Sequence, residues 1–232
     1  MLPWLDRPIV CLVTDRRLLP TGPGGGLASV DGLVALAGAA AAAGIHVMQL
    51  RERDLSGGDL ERLVQRCVAA TRGAPTRILV NDRLDVAIAA GADGVHLRGD
   101  SFEPARARTL APPGFLIGRS VRSAQEAASV SAGGGADFLI FGAVFETPSK
   151  PPAVPLAGPD GLACVVEAAG VPVLAIGGVS AETMPTLART GVAGFAAIRL
   201  FLGESGALLD GPGLRDTVQR ARRLFDTGKR VV

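Results

Sequence analysis

Gln49, Arg51 and Arg53 alternate at the end of an apolar segment, residues 45–50, and face one way for as long as the backbone stays extended. Two guanidinium groups beside an amide suit an anion, above all a phosphate or pyrophosphate that accepts paired hydrogen bonds. A further cation, Lys150, closes residues 137–150, which begin as an apolar run after three glycines and end in Glu146, Thr147, Ser149 and Lys150. At the other end of such a ligand, Gly177 and Gly178 offer bare backbone that an oxyanion can approach, and Arg199 can add charge. Asp82, together with Asp100, supplies carboxylate for a Mg²⁺ whose shell would be completed by water and substrate oxygens. Acid–base work falls to Glu146, Asp82 or Lys150, with help from the hydroxyls of Ser120 and Thr147. The only histidines, His46 and His96, lie inside apolar segments and read as packed, hydrogen-bonded core residues.

These residues share a position: each follows a short apolar stretch. Residues 8–13 stop at Thr14-Asp15, 77–80 at Asn81-Asp82, 94–97 at Arg98, 115–118 at Arg119-Ser120-Val121-Arg122, 171–176 at Gly177-Gly178 and 194–198 at Arg199. Between them the pattern is helical. Leu60, Leu63, Val64, Cys67 and Val68 form one stripe after Ser56, Ser123 with Glu126 reads as a capping box, and Leu214, Val218, Ala221, Leu224 and Phe225 mark a terminal helix. About eight strands, each followed by a helix or a helix-sized connection, predict an α/β fold in which residues 1–232 make one single-domain (β/α)8 TIM barrel. A doubly wound open sheet is the alternative. In a barrel the strand C-terminal ends converge on one mouth, where active sites of this fold lie. The glycine-rich residues 22–26 lack the signature of a phosphate loop and read as a connection, and the proline-rich residues 151–159 read as a covering loop rather than a helix.

Composition narrows the partners. The 24 basic and 22 acidic residues are interspersed and leave a formal charge of +2, too weak a field for nucleic acid or a membrane surface, so a small phosphorylated substrate is expected. Three separated cysteines, Cys11, Cys67 and Cys164, suggest neither a disulfide framework nor a zinc site. With no signal-peptide pattern at the start of the sequence, they point to the cytoplasm. Residues 33–50 carry no formal charge, yet alanine, glycine and His46 make them a soluble helix feeding a strand.

Read as motifs, the same residues resemble the thiamin-phosphate synthase/TenI superfamily. Thr14-Asp15, Gln49-Leu-Arg-Glu52, Asn81-Asp-Arg-Leu-Asp85, Gly91-Ala-Asp-Gly-Val-His-Leu97, Ile117-Gly-Arg-Ser-Val121, Phe141-Gly-Ala-Val-Phe-Glu-Thr147, Ser149-Lys150 and Ala175-Ile-Gly-Gly178 occur in family order. The resemblance implies a barrel, usually a homodimer, that handles thiazole phosphate. Gln49, Arg51, Asn81, Asp82, Ser120, Thr147 and Lys150 match the synthase branch, which joins hydroxymethylpyrimidine pyrophosphate to thiazole phosphate with Mg²⁺. Arg53 stands where that branch has lysine, and Ser101 where it has a second metal aspartate, with Asp100 one residue out of register. Arg51-Glu-Arg53, Ser101-Phe102 and the Phe-Glu-Thr ending at Thr147 are closer to the TenI branch, which includes a thiazole tautomerase. That tautomerase has histidine where this chain has Arg122, and both branches have a small serine-containing turn where it has Arg199-Leu200. The reading is therefore a TenI-like enzyme with altered catalytic residues, namely Glu146, Arg122, Ser120 and Lys150. The alternatives are a divergent thiamine-phosphate synthase, for which Mg²⁺ follows, and a non-catalytic phospho-ligand sensor.

Overall fold

The computed structural model describes residues 8–18, 30–147, 156–202 and 209–229. Strands β1 (Ile9–Val13), β2 (Val47–Leu50), β3 (Arg77–Asn81), β4 (Gly94–Leu97), β5 (Leu116–Val121), β6 (Phe138–Phe141), β7 (Val173–Ile176) and β8 (Gly194–Ala197) pair in chain order. All pairs are parallel, and β8 returns to β1, so the sheet is a closed barrel rather than an open one. Parallel neighbours require a crossover, supplied here by helices α1 (Val30–Ala42), α2 (Gly57–Ala70), α3 (Leu84–Ala89), α4 (Pro104–Leu110), α5 (Ala124–Gly133), α6 (Gly158–Ala168) and α7 (Met184–Arg189). A last helix, α8 (Gly211–Lys229), follows β8. This is the predicted (β/α)8 barrel.

The strands are apolar because both of their faces are covered. Along β1, Ile9, Cys11 and Val13 join Leu79, Leu116, Phe138, Ile140 and Leu174 inside the barrel, while Val10 and Leu12 pack outward under the helices. Gly118 makes room for the largest of the inner side chains: a Cβ there would lie 2.3 Å from the Phe138 ring, which stacks on His96 with centroids 6.3 Å apart. The expected stripe of α2 is buried at Leu60, Leu63, Val64 and Cys67, and the Ser56 hydroxyl caps it by accepting from the Asp59 N–H. At α5, Ser123 accepts from Glu126 N at 3.1 Å, and Glu126 accepts in return from Arg122 N, one residue before the cap.

Several strand ends shift by one or two residues from the sequence reading, and three boundaries differ by more. β5 continues through Arg119, Ser120 and Val121, because a polar side chain does not prevent the backbone from pairing, as it does here with residues 139–141. α6 begins inside the proline-rich run, at Gly158, with Pro159 in its first turn, where a missing N–H costs nothing. α7 begins at Met184, after a turn at residues 181–183. The glycine-rich run at 22–26 and most of the covering loop, residues 151–155, lie outside the described residues. The cysteines are free, and no helix of the described residues is long and apolar enough to cross a membrane.

Candidate functional site

The floor of the mouth is a polar network raised on inward-facing strand positions. Gln49 Nε2 donates to Asn81 Oδ1 at 3.0 Å and lies 2.9 Å from His96 Nδ1, and His96 Nε2 lies 3.3 Å from Ser120 Oγ. Because the Gln49 amide nitrogen can only donate, Nδ1 accepts and Nε2 carries the ring proton. Burial holds His96 neutral, pushing its pKa down to about 4. Ser120 therefore accepts from the ring and retains its own O–H for another acceptor. Both histidines are hydrogen-bonded as expected, with His46 Nδ1 accepting from Val10 N.

Above this floor the loops after β1 and β2 interlock. Thr14 Oγ1 donates to Glu52 Oε1 at 2.5 Å and accepts from Arg51 N at 3.0 Å, and Arg16 N donates to Glu52 Oε2 at 3.1 Å. Asp15 is shared by Arg17 at 2.7 Å and Arg51 at 3.1 Å, and its contacts with Arg17, then Arg51, outweigh burial and keep its pKa low. Arg53 makes no ion pair among the described residues. Its pKa is lowered, first by burial and then by the charges of Arg51, Arg98 and Arg17, so three other guanidinium groups bear on it at this side of the mouth.

Asp82 has a positive φ of 64°, a conformation rare for residues other than glycine, just beyond the end of β3. Its Oδ1 accepts from the Ser101 hydroxyl and from Arg98 N, and Arg98 Nη1 stands 3.8 Å from Oδ2. Asp100 is exposed and pairs with Arg98 at 2.6 Å, so the two carboxylates considered for Mg²⁺ lie on either side of one guanidinium. No group of three or more histidine, cysteine, aspartate or glutamate residues among the described ones is arranged to hold a metal ion. The fit is to a Mg²⁺ that keeps waters and substrate oxygens, with Asp82 as the single carboxylate and Ser101 beside it. Arg119, 5% exposed, braces this loop by donating to the carbonyls of Ser101, Phe102 and Gly99.

On the opposite side the loop after β6 lies close against the end of β7. Phe145 N donates to Gly177 O at 3.2 Å, and a Cβ at Gly178 would fall 2.5 Å from Glu146 O. Both glycines have positive φ, so their smallness is required by this packing, whatever they bind. Glu146 is exposed and Thr147 half-buried; Ser149 and Lys150 lie outside the described residues. Arg199 is exposed in a short turn at residues 199–201, and Leu200 packs against the barrel–helix layer instead of covering the mouth. Arg122 is exposed at the rim, its guanidinium near Gly99.

The geometry can be set beside known proteins. A family model described as "Thiamine monophosphate synthase" matches residues 23–201. The chain belongs to this family. A thiamine-phosphate synthase of Methanoculleus marisnigri is 41% identical over 187 residues, 81% of this chain and 88% of that protein. Another, from a Roseiflexus species, is 35% identical over 195 residues, covering 84% of this chain and 78% of its own. Among solved structures, a thiamine phosphate pyrophosphorylase from Pyrococcus furiosus superposes with a TM-score of 0.74 at 28% identity, over 93% of this chain and 96% of that one. A 3-hexulose-6-phosphate synthase, at 20% identity and a TM-score of 0.63, shares the fold.

Several residues of this mouth, Arg16, Arg17, Glu52, His96, Arg98 and Arg119, were not singled out from the sequence as site residues. One signal was available. Gln49-Leu50, His96-Leu97 and Ser120-Val121 are each a polar–apolar pair closing a strand, which sends the polar member inward and the apolar one under the helices. The same parity puts Arg119 outside the barrel wall, where the loop carbonyls of Gly99, Ser101 and Phe102 bind it and Glu103 stands 3.9 Å away.

Proposed function

We propose that the protein is a thiamine-phosphate synthase, joining hydroxymethylpyrimidine pyrophosphate to thiazole phosphate. The observation that carries this reading is the grouping of four arginines and Asp82 beside a neutral amide–imidazole–hydroxyl floor, in a chain whose relatives at 35% and 41% identity bear that name. These relatives favour the synthase over the TenI-like tautomerase that Arg51-Glu-Arg53 and the Phe-Glu-Thr motif suggested.

In the reaction, the thiazole nitrogen forms a bond to the pyrimidine methylene carbon while the bond from that carbon to pyrophosphate oxygen breaks. The nitrogen becomes cationic and pyrophosphate leaves with the electron pair. The enzyme's task is to receive charge on the leaving group, which suits guanidinium donors held in place before the bond breaks. Arg51 and Arg53, with Lys150 from the loop after β6, take the pyrophosphate; Gln49, Asn81 and the free O–H of Ser120 orient the pyrimidine. Gly177, Gly178 and Arg199, with Thr147 and Ser149, receive the thiazole phosphate at the far side. A Mg²⁺ on Asp82 would neutralise pyrophosphate oxygens. No base is required for the bond exchange, so Glu146 and Arg122 act at the rim, on charge and access. A protein of this kind works on small phosphorylated molecules without nucleic acid or membrane; we assign it to the cytoplasm, as a homodimer.

The test is turnover with both substrates and Mg²⁺, and separately with the unaromatised thiazole tautomer. Thiamin phosphate appearing with one equivalent of pyrophosphate is the expected result. Conversion of the tautomer without coupling would return the chain to the tautomerase branch.

A further inference from the structure

Glu52 is a buried carboxylate, 4% exposed, that the reaction above does not use. Charged residues are rarely buried unless paired, and both oxygens of Glu52 are taken by the loop after β1: Oε1 accepts from Thr14 Oγ1 at 2.5 Å and Oε2 from Arg16 N at 3.1 Å. The Arg16 guanidinium nitrogen Nε is also 3.6 Å away, buried and without a hydrogen bond, and its terminal nitrogen reaches Asp54 at 2.6 Å. Thr14 completes the link by accepting from Arg51 N. Glu52 lies between Arg51 and Arg53 in sequence, and its carboxylate reaches into the loop after β1. We infer that Glu52 is a positioning residue for the anion site: its two oxygens clamp the loop after β1 to the loop after β2 and so fix where Arg51, Arg53 and Arg17 present their guanidinium groups.

The inference rests on the proposed pyrophosphate site and goes beyond it, since Glu52 would touch no substrate. Its logic is geometric. A carboxylate accepts from the Thr14 hydroxyl and the Arg16 N–H at once, whereas an amide has one acceptor oxygen: with that oxygen on Arg16 N the Thr14 hydroxyl must turn its proton away from residue 52, and the negative charge facing Arg16 is lost. Glu52→Gln is nearly isosteric and should leave the barrel folded, yet it loosens one loop against the other. Thr14→Val breaks the same link from the other end. The loop would no longer hold Asp15, on which both Arg17 and Arg51 rest.

The experiment is calorimetric binding of inorganic pyrophosphate in the presence of Mg²⁺, with a thermal melt of each protein, for the unchanged chain, Glu52→Gln, Thr14→Val and the double variant. Each single variant is expected to weaken pyrophosphate binding about tenfold at a temperature well below its melt, and the double variant no more than the worse single, because both remove one link. Glu52→Asp, which keeps the charge, should recover part of the loss. Affinity unchanged in both single variants, whatever their melting temperatures, would make Glu52 an ordinary buried carboxylate and overturn the inference while leaving the site intact. Absence of pyrophosphate binding by the unchanged protein would overturn the reading of the mouth itself.

Discussion

The two ends of the barrel use charge differently. At the bottom, where strands begin, Asp93 accepts from Ile78 N at 2.8 Å and pairs with Arg77 at 2.9 Å, and Asp137 accepts from Ile117 N at 2.7 Å while pairing with Arg108. Each of these carboxylates ties a strand's backbone to a single guanidinium. At the mouth, the charges of Arg51, Arg98 and Arg17 bear on Arg53, Asp15 is divided between Arg17 and Arg51, and Arg53 has no ion pair among the described residues. The lesson is that ion pairs of similar composition have opposite uses. The bottom closes the fold, and the mouth holds cations in an arrangement that an incoming anion would relieve.

Breaking one end should leave the other working. The largest effect is expected at the mouth: Arg51→Ala should lower turnover about 100-fold by removing charge-assisted donors from the leaving group, with little change in melting. Steady-state kinetics beside a thermal melt checks both halves. At the bottom, Asp137→Asn should cost about 2 kcal/mol of stability, read by denaturant unfolding, with pyrophosphate affinity unchanged in the cold. A smaller and more continuous effect comes from His96. Its pKa in the fold, about 4, lies below the ordinary value of 6.5, so the unfolded chain binds the extra proton first as pH falls. This contribution should therefore leave stability unaffected above pH 6.5 and reduce it progressively from there to about 4. Unfolding across that range should show a slope that His96→Asn flattens. The smallest effect sharpens the metal side of the mouth. Ser101→Asp places a second carboxylate beside Asp82 and should tighten Mg²⁺ binding about fivefold in the presence of pyrophosphate, measured by calorimetry.

The barrel was legible because its strands are covered on both faces and must be apolar, while each opens onto polar residues at the same end. Gln49, Asn81 and Ser120 were legible from parity and motif, and the structure brings them together. Asp82 and Asp100 illustrate the limit: the sequence puts one carboxylate after β3 and another after β4, but only the fold shows Arg98 between them. Gly177 and Gly178 illustrate another, since glycine at a strand end is the same letter whether it admits a phosphate or, as here, the backbone of residues 143–146. Glu52 and Arg119 were hidden because a buried charge is identified by its partners, and the hydrogen bonds of both go to backbone and hydroxyl groups far away in sequence.

If the anion site lies at the mouth, between the loops after β1, β2 and β4, hydrogen exchange should register it. Adding pyrophosphate and Mg²⁺ should slow exchange in residues 14–18, 51–55 and 98–102 and leave the strand starts at 77–78 and 116–117 unchanged. Protection confined to the bottom of the barrel or to the outer helices, with those three loops unaffected, would contradict that placement.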